Sequence, residues 1–406
     1  MADKKVIAVI AVAIIAVAGI AAFFLLSNNG NNDSDKKSDY ISLGLTNNYF
    51  PDHTCCVIAA NYSFIENNTE SVEKFLAGYY DSVLFVQQAL KNTSSDDYRW
   101  LIKFSQEKVP GLSEQEIKDA LSNIAYLYAD GNDGNLSALK SDIQSLVSGL
   151  SSVNALTKDV SDASKFADNY VNDAYMKYAI QNRDSLKSGS ASINVAVISG
   201  DIHQIAIHVG IEKKLFSEYG VNIVISNTTN GGGVATSLIN GDSQIGFLGA
   251  PPATINMINF GYIDSDSVKD TGKAFNLVAR VNSEGSGLYI NSKVLDDPGS
   301  SVLKRNGTEF YSVSGGTYTV DKSNAKAWGG LVYGTPGTTS IQHIQLLTLA
   351  KQMGLNVKQY TVGEKISSDT MYWITNLANY QAIVGDKTID AGIIWEPQFQ
   401  RVIQEA

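Results

Sequence analysis

Two hydrophobic periods alternate along the second half of the chain. Residues 194–198 form a short β-branched apolar run that reads as a buried strand. Gly200-Asp201 breaks it, and Asp201 or His203 is placed to cap a following helix. That helix carries apolar residues at Ile205, Ile207, Val209, Ile211, Leu215 and Phe216 and stops near Tyr219-Gly220. Residues 221–225 read as a second strand. Gly231, Gly232 and Gly233 then open a second helix through Ala235, Leu238 and Ile239, and residues 244–248 read as a third strand closed by Gly249-Ala250-Pro251-Pro252. This β-α-β-α-β order predicts a parallel sheet with right-handed crossovers. The loops after its strands (199–204, 227–233 and 249–253) predict the lining of a ligand crevice.

The same reading organises the rest. Residues 40–45 and 56–60 are predicted strands. Helices are predicted over 72–90, 101–104, 113–127, 135–150 and 165–179, so that 71–180 is nearly all helix. Ser113 followed by Glu116 is a capping box. Strands over 276–281 and 287–291 flank residues 282–286, and residues 310–313 and 317–320 read as an exposed hairpin. A strand over 331–333 leads through a loop of small residues into a helix over 341–353, then a strand over 356–361, a helix over 371–379 and a strand over 389–395. The fold class is therefore α/β, built as two successive units joined at 281–287.

Length and charge narrow the reading. A chain of 406 residues, 44% of them hydrophobic, predicts two or three domains. A net charge of −10 argues against nucleic acid as a partner. Residues 6–26 carry no charge and are long enough to span a bilayer, after a short cytoplasmic tail, 1–5, with Lys4 and Lys5. The positive-inside rule then places everything beyond the linker 27–38 outside the cell. A cleaved signal peptide is the alternative, although the apolar run exceeds the usual length of one.

The chemistry on offer is limited. Thr335, Pro336, Gly337, Thr338, Thr339 and Ser340 run into a helix whose free N–H groups and dipole suit an anion. No Lys follows the glycine, so this is not a Walker A loop. Gly231–Gly233 is a matching loop in the first unit, and two such loops point to a ligand held between them. Asp201, His203 and His208 make a poor metal set, because five is a poor same-face spacing and no third ligand lies near. Residues 130–135 lack two positions of a calcium loop. Glu284 and Glu396 are candidates for a carboxylate pair, but nothing in the sequence places them together. No nucleophile elbow is present. Cys55 and Cys56 are the only cysteines. A disulfide between them would be strained, and strand alternation would point one thiol into the core and the other away.

Several segments carry a resemblance: GDIHQ (200–204), GGGVATSLINGDSQIGFLGAPP (231–252), VNSEGS (281–286), TPGTTSIQH (335–343) and DAGIIWEP (390–397). They resemble the nitrate/sulfonate/taurine-type substrate-binding proteins of ABC transporters. The resemblance implies the type II periplasmic-binding fold, with two doubly wound domains and a solute in the cleft between them. One departure is that residues 51–79, similar to a segment that follows the WEP stretch in that family, come first here. The chain thus looks circularly permuted, with 189–192 joining the old ends. Domain one is then 50–282 (50–188 similar to the family's C-terminal part, 193–282 to its N-terminal part), and domain two is 283–406 plus 39–49. Carried over by position, the ligand-binding residues are Asp201, His203, Gln204, Gly231, Gly232, Gly233, Ala250, Pro251, Ser283, Glu284, Gly285, Thr335, Gly337, Thr338, Thr339, Ser340 and Trp395. The resemblance implies no catalysis, no cofactor and no metal. It implies a small anionic or polar solute, a permease and an ATPase as partners, and anchorage to the cell membrane by the N-terminal helix. The alternative is an enzyme similar to thiamine-pyrimidine synthases.

Overall fold

A computed structural model of the chain describes residues 38–128, 135–152, 156–259, 274–314, 317–320 and 324–405. The apolar run 6–26 and the acidic stretch 130–134 lie outside the described residues. Among the described residues no helix is long and apolar enough to cross a membrane.

In chain order the strands are β1 (Tyr40–Leu45), β2 (Thr54–Asn61), β3 (Ile124–Tyr126), β4 (Ala191–Ile198), β5 (Val221–Thr228), β6 (Ile245–Gly249), β7 (Phe275–Glu284) and β8 (Ser286–Asn291). They continue with β9 (Val302–Arg305), β10 (Thr308–Ser314), β11 (Thr317–Val320), β12 (Val332–Gly334), β13 (Asn356–Gln359), β14 (Thr370–Ile374) and β15 (Ala391–Trp395). They form a mixed α/β structure with two six-stranded sheets, ordered β3-β7-β2-β6-β4-β5 and β1-β8-β15-β12-β14-β13, and a small sheet β11-β10-β9. In the first sheet β4 pairs in parallel with β5 and β6, as the β-α-β-α-β pattern predicts, and β2 joins antiparallel between β6 and β7. In the second sheet β12 to β15 are mutually parallel where they pair, and β8 runs antiparallel between β15 and β1.

Each large sheet has its own apolar core. Around the first, helix Thr69–Lys91 buries Phe75, Leu76, Tyr79, Val83 and Val86. Its contact with helix Ile205–Glu212 is close because a glycine stands where the two meet: a Cβ on Gly210 would lie 2.0 Å from Ser82 Oγ and 2.5 Å from Phe216 Cε2. The Ser82 hydroxyl is fixed by donating to the Gly78 carbonyl (2.6 Å), and Phe216 stacks on Phe75 with ring centroids 5.3 Å apart. In the second sheet, Leu288, Ile290, Tyr333 and Ile393 pack with Trp328 and with Phe310 and Tyr311 of the small sheet.

Several expected elements differ. Residues 371–379 are not a helix: Thr370–Ile374 is β14, held between β12 and β13, because its Thr, Tyr, Trp and Ile suit a strand with a neighbour on each side. The segment 113–127 is helical only to Ser122, after which Ile124–Tyr126 adds an edge strand to β7. Residues 310–313 and 317–320 pair antiparallel as the expected hairpin, but its base is not exposed, since Phe310 and Tyr311 are buried and Phe310 meets Trp328 edge-on at 5.2 Å. Strand β9, unanticipated, is joined to β10 by Asn306-Gly307 with both residues at positive φ, the backbone of a tight two-residue hairpin. Pro251 and Pro252 sit in the first turn of helix Ala250–Asn259, where a missing N–H costs nothing.

The chain passes between the two large sheets twice. One passage lies between β1 and β2, over residues 46–53. The other is Gly285 alone, between β7 and β8. Ser38 Oγ donates to the Val402 carbonyl (2.8 Å), so both ends of the described chain lie together beside the second sheet.

The contact at Gly210 yields a test. Gly210→Ala is expected to destabilise the protein by roughly 1–3 kcal/mol through overpacking, read as a lower urea midpoint with unchanged slope. An unchanged midpoint would mean that the two helices can separate freely.

Candidate functional site

Strands β7 and β8 are one extended line interrupted by a single residue. Glu284 and Gly285 both take positive φ (65° and 88°), and this turns the line out of one sheet and into the other. Residues 282–286, expected as a loop between strands, are therefore ladder residues apart from Gly285: Ser283 pairs with Thr54 on one side and Ala125 on the other, and all five are buried. Only glycine fits at the turn, because a Cβ on Gly285 would stand 2.2 Å from His203 Nε2.

That histidine defines the site. Asp201 caps the short turn Ile202–Gln204 and accepts from the His203 backbone N–H (3.0 Å), while its Oδ1 faces His203 Nδ1 at 2.8 Å. The other ring nitrogen faces the Gly285 carbonyl at 3.0 Å. Both ring nitrogens thus face acceptors, which requires both to carry protons. Burial works against that charge, but the Asp201 carboxylate outweighs it and holds His203 up at about 9. Gln204 completes the loop by donating to Asp201 Oδ2 (3.0 Å) and accepting from the Ile198 N–H (3.0 Å).

From the second sheet, the Glu396 N–H donates to the same Gly285 carbonyl (2.8 Å), just beyond Trp395, which pairs with Ser286. The Glu396 side chain is fully buried and accepts from Asn123 Nδ2 (2.7 Å) and Gln400 Nε2 (3.2 Å). Burial pushes its carboxyl up to about 7, and burial pushes Glu284 up to about 8. Glu284 and Glu396, which the sequence left unplaced relative to one another, both stand at Gly285. Cys55 and Cys56 lie on the first-sheet side, where Cys56 pairs with Asn282 and with Gly249, next to Ala250.

Away from the crossing, further contacts join the two halves. Gln345 Nε2 donates to His53 Nε2 (3.1 Å), while His53 Nδ1 donates to the Phe50 carbonyl (2.8 Å), so this imidazole is neutral and burial lowers its pKa. Arg401 Nε meets the buried Glu116 (3.2 Å), and Gln404 donates to Asp119 (2.9 Å). Leu150, Ile255 and Ile344 form an apolar contact between helices of the two halves.

The remaining predicted residues fall into a second group. Asn230 Oδ1 caps the Gly233 N–H (3.0 Å), and Gly231 lies against Pro252 and Leu248. Ser340 Oγ caps the His343 N–H (3.1 Å). Thr335 is turned into its own sheet, with its hydroxyl on His343 Nδ1 (3.0 Å), whereas Thr338 and Thr339 are exposed and Gly337 faces open space. Pro251 is buried in its helix. Residues 231–233, expected as a loop, are the first turn of helix Gly231–Asn240, and among the described residues no hydrogen bond joins that turn to the 335–340 loop. Asn282, Asn123, Gln345, His53 and Gln400 were missed, because each is an ordinary polar residue in an element whose neighbour is remote in sequence.

Among the described residues no group of three or more His, Cys, Asp and Glu side chains is arranged to hold a metal ion. Comparison with family models, curated proteins and solved structures finds no match.

The raised groups give a pH signature. Stability linked to protonated Glu396 is fully present below the unfolded value of 4.5 and is lost as pH rises through about 7. That linked to charged His203 is fully present below 6.5 and is lost through about 9. The melting temperature should therefore fall as pH rises across these windows. Glu396→Gln, which keeps an acceptor for Asn123, should lessen the fall between about pH 4.5 and 7, leaving the share that Glu284 contributes up to about 8. A variant profile parallel to the parent's throughout would refute this assignment.

Proposed function

We propose that the chain is the solute-binding subunit of an ABC importer. Residues 6–26 anchor it at the outer face of the cell membrane, and it delivers a small, strongly polar or anionic solute to a permease and ATPase. The observation that carries this reading is the connection between the two sheets: one passage of a single residue and one of eight, with separate cores on either side. Two bodies joined this way can close by a hinge around a ligand, with Glu284 and Gly285 absorbing the backbone change. The fold that goes with this reading is the type II periplasmic-binding fold, opened by circular permutation at the ends now held together by Ser38 and Val402.

Two features of the junction support a polar solute. Residues 231–233 are the first turn of helix Gly231–Asn240 and the loop 335–340 precedes helix Ile341–Gln352, so each helix start presents backbone N–H groups beyond those its own cap uses. Among the described residues, Asn282 Oδ1, Glu284 Oε2, Gln345 Oε1 and Glu396 Oε2, buried in or beside the passages, also lack a hydrogen-bond partner. Unpaired buried polar atoms are costly, and a polar solute that hydrogen-bonds to them would satisfy them. The nearness of cysteine, histidine and carboxylates favours a second reading, an enzyme similar in fold to thiamine-pyrimidine synthases.

The test is a thermal-shift panel of sulfonates, nitrate, bicarbonate and pyrimidines. A binder present at a hundred times its Kd should add about 2.7 kcal/mol to stability. Calorimetry with that binder should show affinity reduced at least about tenfold in Gly337→Pro and in the double variant Thr338→Val, Thr339→Val, for the loss of one or two charge-assisted hydrogen bonds. A panel without any binder would sink the reading. Consumption of a pyrimidine with release of product would move the assignment to the enzyme.

A further inference from the structure

The two cysteines do not follow the alternation expected of a strand. The ladder between β2 and β7 is irregular on both sides of Cys56: Thr54 pairs with Ser283, Cys56 with Asn282 and Val57 with Arg280, leaving Cys55 without a register partner. Such a bulge re-aims a side chain. Here it brings the two thiols together, with Sγ atoms 3.9 Å apart, and both residues are buried (4% and 6% exposed). Thr54 and Cys55 begin β2 directly after the 46–53 passage, and Cys56 is paired to Asn282 near the end of β7, just before the crossing at Gly285. The thiol pair therefore sits where both passages meet the first sheet.

We infer that Cys55 and Cys56 form a redox-active dithiol site that closes reversibly to a vicinal disulfide. The Cα atoms of neighbouring residues are held about 3.8 Å apart across a trans peptide, short of the usual span between bridged cysteines. The bond is consequently strained, and strained disulfides are the labile, regulatory kind rather than the structural kind. The hydrogen bond from Cys56 lowers the pKa of the Cys55 thiol, with the charged His203 adding to this, so Cys55 is the attacking sulfur.

With a small disulfide as oxidant, the Cys55 thiolate attacks one of its sulfurs, forms a mixed disulfide and releases one thiol. Cys56 then attacks Cys55 Sγ, gives up its proton and releases the second thiol. Two protein thiols are oxidised, and one small disulfide is reduced to two thiols. Closing the ring twists the peptide between the cysteines and disturbs the pairing of Cys56 with Asn282 and Gly249, so oxidation loosens the junction. This inference holds whether or not the junction takes a solute.

The experiment treats the full-length native protein with excess cystamine and follows intact mass. The expected product is a monomer lighter by two hydrogens, restored by dithiothreitol, with both cysteines linked inside one proteolytic peptide. Its melting temperature should fall by at least about 2 °C, the scale of a change of about 1.5–2 kcal/mol in a chain of this size. Cys56→Ser should instead retain one cysteamine adduct on Cys55. A wild-type protein that keeps an adduct, or stays unreacted where the urea-unfolded chain is modified, would overturn the dithiol site without recourse to any variant. Complete ring closure with an unchanged melting temperature would overturn its coupling to the junction.

Discussion

The carbonyl of Gly285 is the point on which the rest of the structure depends. It accepts from the His203 ring on the first-sheet side and from the Glu396 N–H on the second. Three separate stretches of chain, around 201–204, 284–286 and 395–397, are thereby fixed at one atom. The backbone must be left-handed there for two residues in succession, and a side chain at 285 would collide with the histidine. Strain of this kind persists only where its surroundings overdetermine it, and here the surroundings are two complete sheets.

The electrostatics follow from that geometry. A histidine with acceptors at both ring nitrogens has to be charged, and a buried charge has to be paired. Asp201 supplies the partner, and Gln204 keeps Asp201 in place. Glu284 and Glu396 stand near the same point with no cation among the described residues hydrogen-bonded to them, so burial governs them and drives both toward the neutral form. The crossing is thus mechanically narrow and polar beyond its own capacity for pairing. These two properties together make it the region where a bound molecule, a proton or an oxidant would have the largest effect on the relation of the two sheets.

The sequence by itself determined the local elements where hydrophobic period and end signals agree. The strands within 191–249 and the helix Ile341–Gln352 belong here, as does the capping box at Ser113 and Glu116. It also marked Asp201, His203, Gln204 and Gly285 as special, though as members of a ligand cleft rather than as one hydrogen-bonded unit. Tertiary pairing decided the rest. Thr370–Ile374 became a strand because parallel neighbours on both sides outweigh a weak helical period, and Ile124–Tyr126 became one because β7 offered a free edge. Cys55 and Cys56 share a side only because a register slip against β7 cancels the alternation. Glu284 and Glu396, far apart in sequence, are both placed beside Gly285 because the chain leaves one sheet there and returns to that point from the other. Local sequence carries period, capping and turn chemistry. Which distant strand lies alongside depends on summed pairing and burial across the whole chain, and the site is made of those pairings.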